Sequence, residues 1–248
     1  MKNYKIIIQY DGTRYKGWQV QKSTDMTIQG KIQDVLTAMA KEEIEVIGSG
    51  RTDAGVHALG QVANFHMPAH FNTEEILEYL NHYLPMDIAV MEIKEVPERF
   101  HARFNAVSKT YVYRIHTSRI PNVFERKYMY TYTEELDVNK MRQAANLMLG
   151  THDFAAFCGN KKMKKSTVRT VEDIHIEEME NELRISYTGD GFLQTMIRIM
   201  TGTLIEVGNG TKQPEDVISI LNSKIRENAG FTVPAEGLIL KNVEYEEK

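Results

Sequence analysis

The run Gly48-Ser49-Gly50-Arg51-Thr52-Asp53-Ala54-Gly55-Val56-His57-Ala58 separates two strand-like segments, residues 44–47 and 61–66, and its reading sets both the fold and the chemistry. Three glycines within eight residues let the backbone take left-handed conformations and approach a ligand closely. A single carboxylate in such a loop, Asp53, serves as a nucleophile if it is aimed into a pocket and flanked by positive charge. The same spacing also suits an Asx turn in which Asp53 caps its own backbone. A phosphate cradle is a third reading, but the loop lacks the Gly-Lys-Ser/Thr ending that positions a Walker lysine. His57 reads either as a loop or packing residue or as a group touching substrate.

Working outward, Tyr4, Ile6, Ile8 and Tyr10 alternate with Lys5, Ile7 and Gln9 and stop at Asp11-Gly12, which predicts a strand ending in a turn. Ile28, Ile32, Val35, Leu36 and Met39 share one helical face, with Thr27 as N-cap. A second helix starts at Asn72, where Glu75 completes a capping box, and ends before Pro85; residues 88–96 return as a strand. The second half repeats this rhythm with strands over 109–116 and 128–132 and a helix through Val138, Met141, Ala145 and Met148, closed by Gly150. A hairpin over 171–178 and 183–188 follows, then a helix over 192–207, a shorter one from Pro214, and a final strand over 238–244. Each half reads roughly as strand, helix, strand, strand, helix, strand, the second more loosely than the first. That order predicts an α+β fold of two ferredoxin-like halves with antiparallel sheets and a cleft where they meet.

Composition narrows the class. The 248 residues suit one large domain or two modest ones, and 42% hydrophobic with 26% charged residues is an ordinary globular mix. No run of 18 apolar residues suggests a membrane span, and the opening Met-Lys-Asn-Tyr-Lys enters a strand pattern with no apolar signal segment. Cys158 is the only cysteine, so neither an internal disulfide nor a cysteine-based metal cluster is expected, and the cytoplasm is the expected compartment. The net charge is −4, but its distribution is uneven. Between Arg99 and Lys127 stand seven Lys or Arg residues and one acid, Glu125, and residues 161–169 hold five bases and no acid. Acids gather instead at Glu134-Glu135, at 177–180 and in the tail. A basic face of this kind suits phosphate contact.

Three further segments carry candidate chemistry. Residues 10–21, Tyr-Asp-Gly-Thr-Arg-Tyr-Lys-Gly-Trp-Gln-Val-Gln, hold the only tryptophan and suit either RNA backbone contact or a packed surface turn. Phe100-His101-Ala102-Arg103-Phe104 and Lys109-Thr110-Tyr111-Val112-Tyr113-Arg114 interleave aromatics with bases, as a stacking surface with phosphate contacts would. The alternative for the second is a half-buried strand with Tyr111, Tyr113 and Ile115 facing the core. Arg198 lies on an otherwise apolar helix that buries Phe192, Met196, Ile199 and Met200. A buried arginine needs a carboxylate partner, for which Asp53 is the first choice and Glu206 the surface-style alternative.

Taken in order, Tyr-Asp-Gly-Thr with Gly-Trp-Gln, Gly-Arg-Thr-Asp-Ala-Gly-Val-His-Ala, Phe-His-Ala-Arg-Phe, Thr-His-Asp-Phe at 151–154 and Pro-Ala-Glu-Gly-Leu at 234–238 resemble the tRNA pseudouridine synthase A family from Tyr10 to Leu240. The resemblance implies an isomerase that converts uridine to pseudouridine at positions 38 to 40 of the tRNA anticodon stem-loop, with no cofactor and no catalytic metal. It implies two α+β halves forming a continuous antiparallel sheet flanked by helices, with the active-site cleft between them. Residues 1–105 would be the N-terminal half carrying the aspartate loop, and 106–248 the C-terminal half carrying the tyrosine and arginine. The chain would form a homodimer that binds tRNA across both subunits. Asp53 is the implied nucleophile, Tyr111 the tyrosine stacked near the target uracil, and Arg198 the ion-pair partner of the aspartate. Arg14, Arg51 and the 161–165 run are candidates for phosphate contacts. One departure stands out: family members commonly carry Arg-Asn where Ile199 follows Arg198 here.

Overall fold

A computed structural model describes residues 1–160 and 162–246. In chain order its regular elements are β1 (Lys2–Tyr10), α1 (Ile28–Ala40), β2 (Val46–Gly48), β3 (His57–Met67), α2 (Thr73–Tyr83), β4 (Ile88–Val96), β5 (Ala106–His116) and β6 (Tyr130–Thr131). There follow α3 (Val138–Asn146), β7 (Gly150–Asp153), β8 (Val168–Met179), β9 (Glu182–Gly189), α4 (Met196–Gly208), α5 (Asp216–Ser223) and β10 (Leu238–Tyr245). The chain divides into two compact α+β units, Met1–Val107 with the stretch from Ile239, and Ser108–Leu238. Among the described residues no helix is long and apolar enough to cross a membrane.

In the first unit the strands run β4-β1-β3-β2, every neighbour antiparallel, which is the ferredoxin-like order. Period-2 alternation puts Tyr4, Ile6, Ile8 and Tyr10 of β1 into the core. The Thr27 side chain accepts the Gly30 N–H to start α1, which buries Ile28, Ile32 and Leu36. Asn72 and Glu75 form the expected capping box on α2. Near the end of the same helix, Asn81 clasps both the N–H and the carbonyl of Val90, at 2.8 Å each, fixing α2 to β4.

The second unit has the sheet order β5-β9-β8-β7, again antiparallel, under α3 and α4. Tyr111, Tyr113 and Ile115 all face the core, and the hairpin of β8 and β9 turns through Glu180-Asn181. Helix α4 is buried nearly all round through Met196, Ile199, Met200, Leu204 and Val207. The Tyr187 hydroxyl finds Thr201 Oγ1 at 2.8 Å.

The expectation of antiparallel pairing throughout is corrected at two places. β10 lies parallel to β3 through Ile239 with His57 and Leu240 with Ala58, and β6 lies parallel to β5. Neither pair is joined by a tight turn, and only a tight turn forces antiparallel neighbours. The expected boundary after residue 105 would leave the last strand with the C-terminal half, whereas from Ile239 it pairs with β3. Helix α4 begins at Met196 rather than 192, because Thr195 takes a left-handed conformation (φ 56°) that stops the helix there. β3 starts at His57 because the loop closes one residue earlier, with Val56 N–H donating to the Asp53 carbonyl.

One ion cluster reconciles charge with register. Arg114 of β5 stands directly opposite Arg184 of β9, a destabilising pairing of like charges. Glu182 takes both, with Arg114 Nε and Arg184 Nε each 2.6 Å from its Oε1. Burial alone would raise the Glu182 pKa, but hydrogen bonds and charge from the two guanidinium groups outweigh it and pull it down to about 2. Because the folded value lies below the ordinary one, the cluster's stabilisation is complete above pH ~4.5 and fades as pH falls toward 2. Glu182→Gln should therefore lower stability at pH 7 by on the order of 1–3 kcal/mol. Urea denaturation should show the gap between variant and wild type closing across that acid window.

Candidate active site

The Asp53 loop is built by backbone contact on both sides. On the strand side, Ser49 N–H donates to the Val62 carbonyl at 2.7 Å and Ser49 Oγ to Gln61 Oε1 at 2.7 Å, while Gln61 Nε2 returns to the Gly50 carbonyl at 3.1 Å. Gln61 is fully buried on β3 and serves as the post that holds the start of the loop. On the other side lies the turn that follows β1. Trp18 N–H donates to the Thr52 carbonyl at 3.0 Å, and Gly55 N–H to the Tyr15 carbonyl at 3.4 Å. The Tyr10 hydroxyl shares a buried hydrogen bond of 2.8 Å with Thr52 Oγ1. Burial raises the Tyr10 pKa, only partly offset by Thr52 and Gln61, so the phenol stays protonated.

Two glycines make this approach possible. Gly17 has φ +101° and a Cβ there would stand 2.7 Å from the Thr52 carbonyl oxygen. A Cβ on Gly48 would stand 2.5 Å from Trp18 Cε2, so the indole, 2% exposed, lies flat against the strand backbone before the loop. The Tyr10 and Trp18 rings are 6.2 Å apart. The turn itself is tied down by Asp87, which accepts from the Tyr15 hydroxyl at 2.6 Å and pairs with Arg14 at 2.7 Å. Burial first, then that carboxylate, pushes the Tyr15 phenol up to about 12.

Within this frame Asp53 is half-buried while Thr52 and Val56 beside it are buried. The Asx-turn and nucleophile readings divide over where its carboxylate is spent. Its main-chain carbonyl accepts from Val56, so backbone bonds shape the turn. His57 takes the packing role: it is 3% exposed and its Nδ1 accepts the Gly12 N–H at 3.0 Å. Asp11 Oδ1 lies 3.2 Å from the same nitrogen and receives the Thr13 N–H at 2.9 Å. Arg51 is exposed, and its Nε donates to Gln19 Oε1 at 3.0 Å; Gln19 in turn reaches Gln29, which is anchored on the Val46 carbonyl. The guanidinium of Arg51 is thus oriented at the surface of the loop.

In the second unit Tyr111 is 7% exposed, its ring meeting Phe192 edge-on with centroids 5.5 Å apart. Arg198 sits in the first turn of α4, half-buried, with Nε donating to the Val233 carbonyl at 2.8 Å and its own carbonyl accepting from Val233 N–H. Glu206, the alternative partner considered for the arginine, is engaged by Lys212 and by the Phe231 N–H. The Pro-Ala-Glu-Gly-Leu motif has a packing reason: the Tyr113 hydroxyl donates to the Pro234 carbonyl at 2.8 Å, and a Cβ on Gly237 would strike that ring. Sequence reading missed Tyr10, Thr52, Gln61 and Asp87 as the frame of the loop. The one signal for them was a glutamine at an inward position of a strand. Lys162, Lys164 and Lys165 are exposed, while Lys161 of that basic run lies outside the described residues. Among the described residues no three His, Cys, Asp or Glu side chains are grouped to hold a metal ion.

Comparison with known proteins gives a consistent result. A family model described as tRNA pseudouridine synthase matches residues 6–105 and 144–246. A tRNA pseudouridine synthase A from Bacillus sp. (strain KSM-64) is 51% identical over 245 residues, 99% of this chain and 100% of that protein. A tRNA pseudouridine synthase A 1 from Clostridium tetani is 49% identical over the same shares, and a tRNA pseudouridine synthase A 2 from Bacillus anthracis is 46% identical, again over the same shares.

The clasp between turn and loop makes a direct prediction. Gly17→Ala combines a strained positive φ with a backbone clash, and should destabilise the protein by on the order of 1–3 kcal/mol. Its turnover should fall more than that of a surface Gly→Ala variant at Gly210, where a Cβ meets nothing within 4 Å. Thermal unfolding and initial-rate assays on the two variants check this; equal behaviour would show the close approach to be unimportant.

Proposed function

The chain belongs to the tRNA pseudouridine synthase family, and from that premise we propose that it isomerises uridine to pseudouridine in tRNA, with Asp53 as nucleophile and positions 38 to 40 of the anticodon stem-loop as targets. The observation that carries the nucleophile reading is the way Asp53 is presented. It is half-buried in a short loop whose residues on either side are fixed by hydrogen bonds to Trp18, Tyr10, Tyr15 and Gln61. A reacting group gains most when its position is set before the substrate arrives.

The reaction breaks the bond from ribose C1′ to uracil N1 and forms one from C1′ to C5 of the same base. N1 gains a proton and C5 loses one, so substrate and product are isomers and the step balances with no external oxidant, reductant or group donor. The target atoms are inaccessible in a stacked helix, so the nucleotide is flipped out, at a cost smallest in a loop or at the end of a stem. Desolvation would favour the protonated carboxyl, and a neighbouring cation keeps it ionised. Arg198 is the residue proposed for that task, since a guanidinium keeps its charge when buried. Tyr111 is proposed to pack on the uracil; a phenol ionises far above neutral pH, so its ring is worth more here than its hydroxyl as a base. Arg51, exposed beside the nucleophile, is proposed to take a substrate phosphate. A cytoplasmic homodimer completes the reading.

Mapping pseudouridine in tRNA after incubation with the purified protein tests the activity and the target positions together. Asp53→Asn should abolish product while tRNA binding changes little, and any retained turnover in a tritium-release assay refutes the nucleophile. Arg198→Met should lower turnover by on the order of 100-fold or more. Tyr111→Phe should keep the stacking ring, and full activity in that variant assigns Tyr111 to its ring alone.

A further inference from the structure

Between the end of β4 and the start of β5, residues 97–105 form a turn that is unusually well anchored. Its anchors are two asparagines on adjacent strands, Asn3 of β1 and Asn64 of β3, each 1% exposed. Asn3 Nδ2 donates to the carbonyls of Pro97 (3.1 Å), Glu98 (3.3 Å) and Phe100 (2.9 Å). Asn3 Oδ1 accepts from Asn64 Nδ2 at 3.1 Å, and Asn64 Oδ1 accepts the Ala102 N–H at 2.8 Å. The Tyr245 hydroxyl closes the set on the Ala102 carbonyl at 2.7 Å while its ring packs on Phe100, centroids 5.2 Å apart. Burying two amides is costly unless every group finds a partner, and here the partners are the backbone of one surface turn.

The far side of the turn is equally ordered. His101 Nδ1 accepts the N–H groups of Arg103 and Phe104, and Asn105 Oδ1 accepts the His101 N–H at 2.7 Å. The His101 ring lies against Phe104 with centroids 4.1 Å apart at 31°. Yet Phe104 is 77% exposed, and Arg99 and Arg103, which precede it in the same turn, are exposed too. Glu98, the one acid in the turn, faces His66 at 3.1 Å. Beyond its contact with His101, the Phe104 ring has nothing to pack on among the described residues, and the same turn carries two exposed arginines.

We propose that this turn is a preset RNA contact, in which Phe104, supported by His101, stacks on an unpaired base and Arg99 and Arg103 meet the flanking phosphates. The inference rests on the reading of tRNA as substrate and adds to it a binding element outside the Asp53 loop. An aromatic interleaved with bases is the arrangement that holds single-stranded nucleic acid. Because the turn is already ordered, binding does not carry the entropic cost of ordering it.

The test compares wild type with Phe104→Ala, Phe104→Trp and the double variant Arg99→Ala/Arg103→Ala, using filter binding of unmodified tRNA at several salt concentrations. Phe104→Ala should weaken binding by on the order of 5- to 100-fold with an unchanged melting temperature, and Phe104→Trp should restore it. The double variant should make the dependence of log K on log salt shallower by about 1 to 2. Phe104→Ala binding within about twofold of wild type overturns the proposal, as does a variant that binds tRNA normally but loses self-association in sedimentation. Pseudouridine formation by wild type is measured in parallel. An active wild type with an indifferent Phe104→Ala refutes the turn alone, and a wild type that neither binds nor modifies tRNA refutes both readings.

Discussion

Two backbone segments, residues 10–18 and 48–57, lie closer together than side chains at the contact would permit, and the first unit is organised around that approach. β1 carries an irregularity between Ile8 and Tyr10 in its pairing with β3, and beyond it the chain leaves the sheet to cross the loop. Gly17 and Gly48 remove the atoms that would hold the segments apart, and Trp18 and Tyr10 fill the space around them. The result fixes the Asp53 loop through main-chain bonds made by the neighbours of the aspartate and through the buried side chains of Gln61 and Tyr10. Such rigidity is what a group needs if it is to meet a flipped nucleotide without reorganising.

The same constraint explains what the sequence allowed to be read and what it hid. Alternation in β1, the helical face of α1 and the Asn72–Glu75 capping box follow from local periodicity and local hydrogen bonding, and these elements stand where they were expected. The start of α4 was misplaced because one left-handed residue, Thr195, overrides a pattern of apolar residues that continues through it. β7 was missed because its four residues, Gly150-Thr151-His152-Asp153, carry no apolar alternation and form only by pairing with β8. Parallel contacts of β10 and β6 could not be read at all, since pairing between segments far apart in sequence leaves no local trace.

At the candidate site, glycine density and the ordered motifs pointed to Asp53, but the frame around it was legible only in part. Tyr10 and Trp18 were visible as an aromatic turn with two interpretations, and burial favours the packed one. His57 reads more readily as a loop or packing residue than as a base, and its burial and the Gly12 N–H on its Nδ1 agree with packing. Tyr111, Tyr113 and Ile115 follow the core-facing reading of their strand, with Tyr111 touching Phe192.

Charge is where linear reading misleads most. Counting bases between Arg99 and Lys127 treats every guanidinium as equivalent, but Arg114 is locked between Glu182 and Glu125 with its side chain 13% exposed. Arg184 and Arg142 are likewise paired, with Glu182 and Glu178, and Arg14 is spent on Asp87. These cations hold strands and turns together and contribute little field to a passing phosphate. The exposed arginines of the 97–105 turn and Arg51 differ in kind, because they stand at the ends of rigid loops rather than inside ion clusters. Screening limits any charge to a reach of roughly 8–10 Å at physiological salt. A net charge of −4 therefore says little about RNA binding; what matters is which few cations the fold leaves at its surface, and how firmly it aims them.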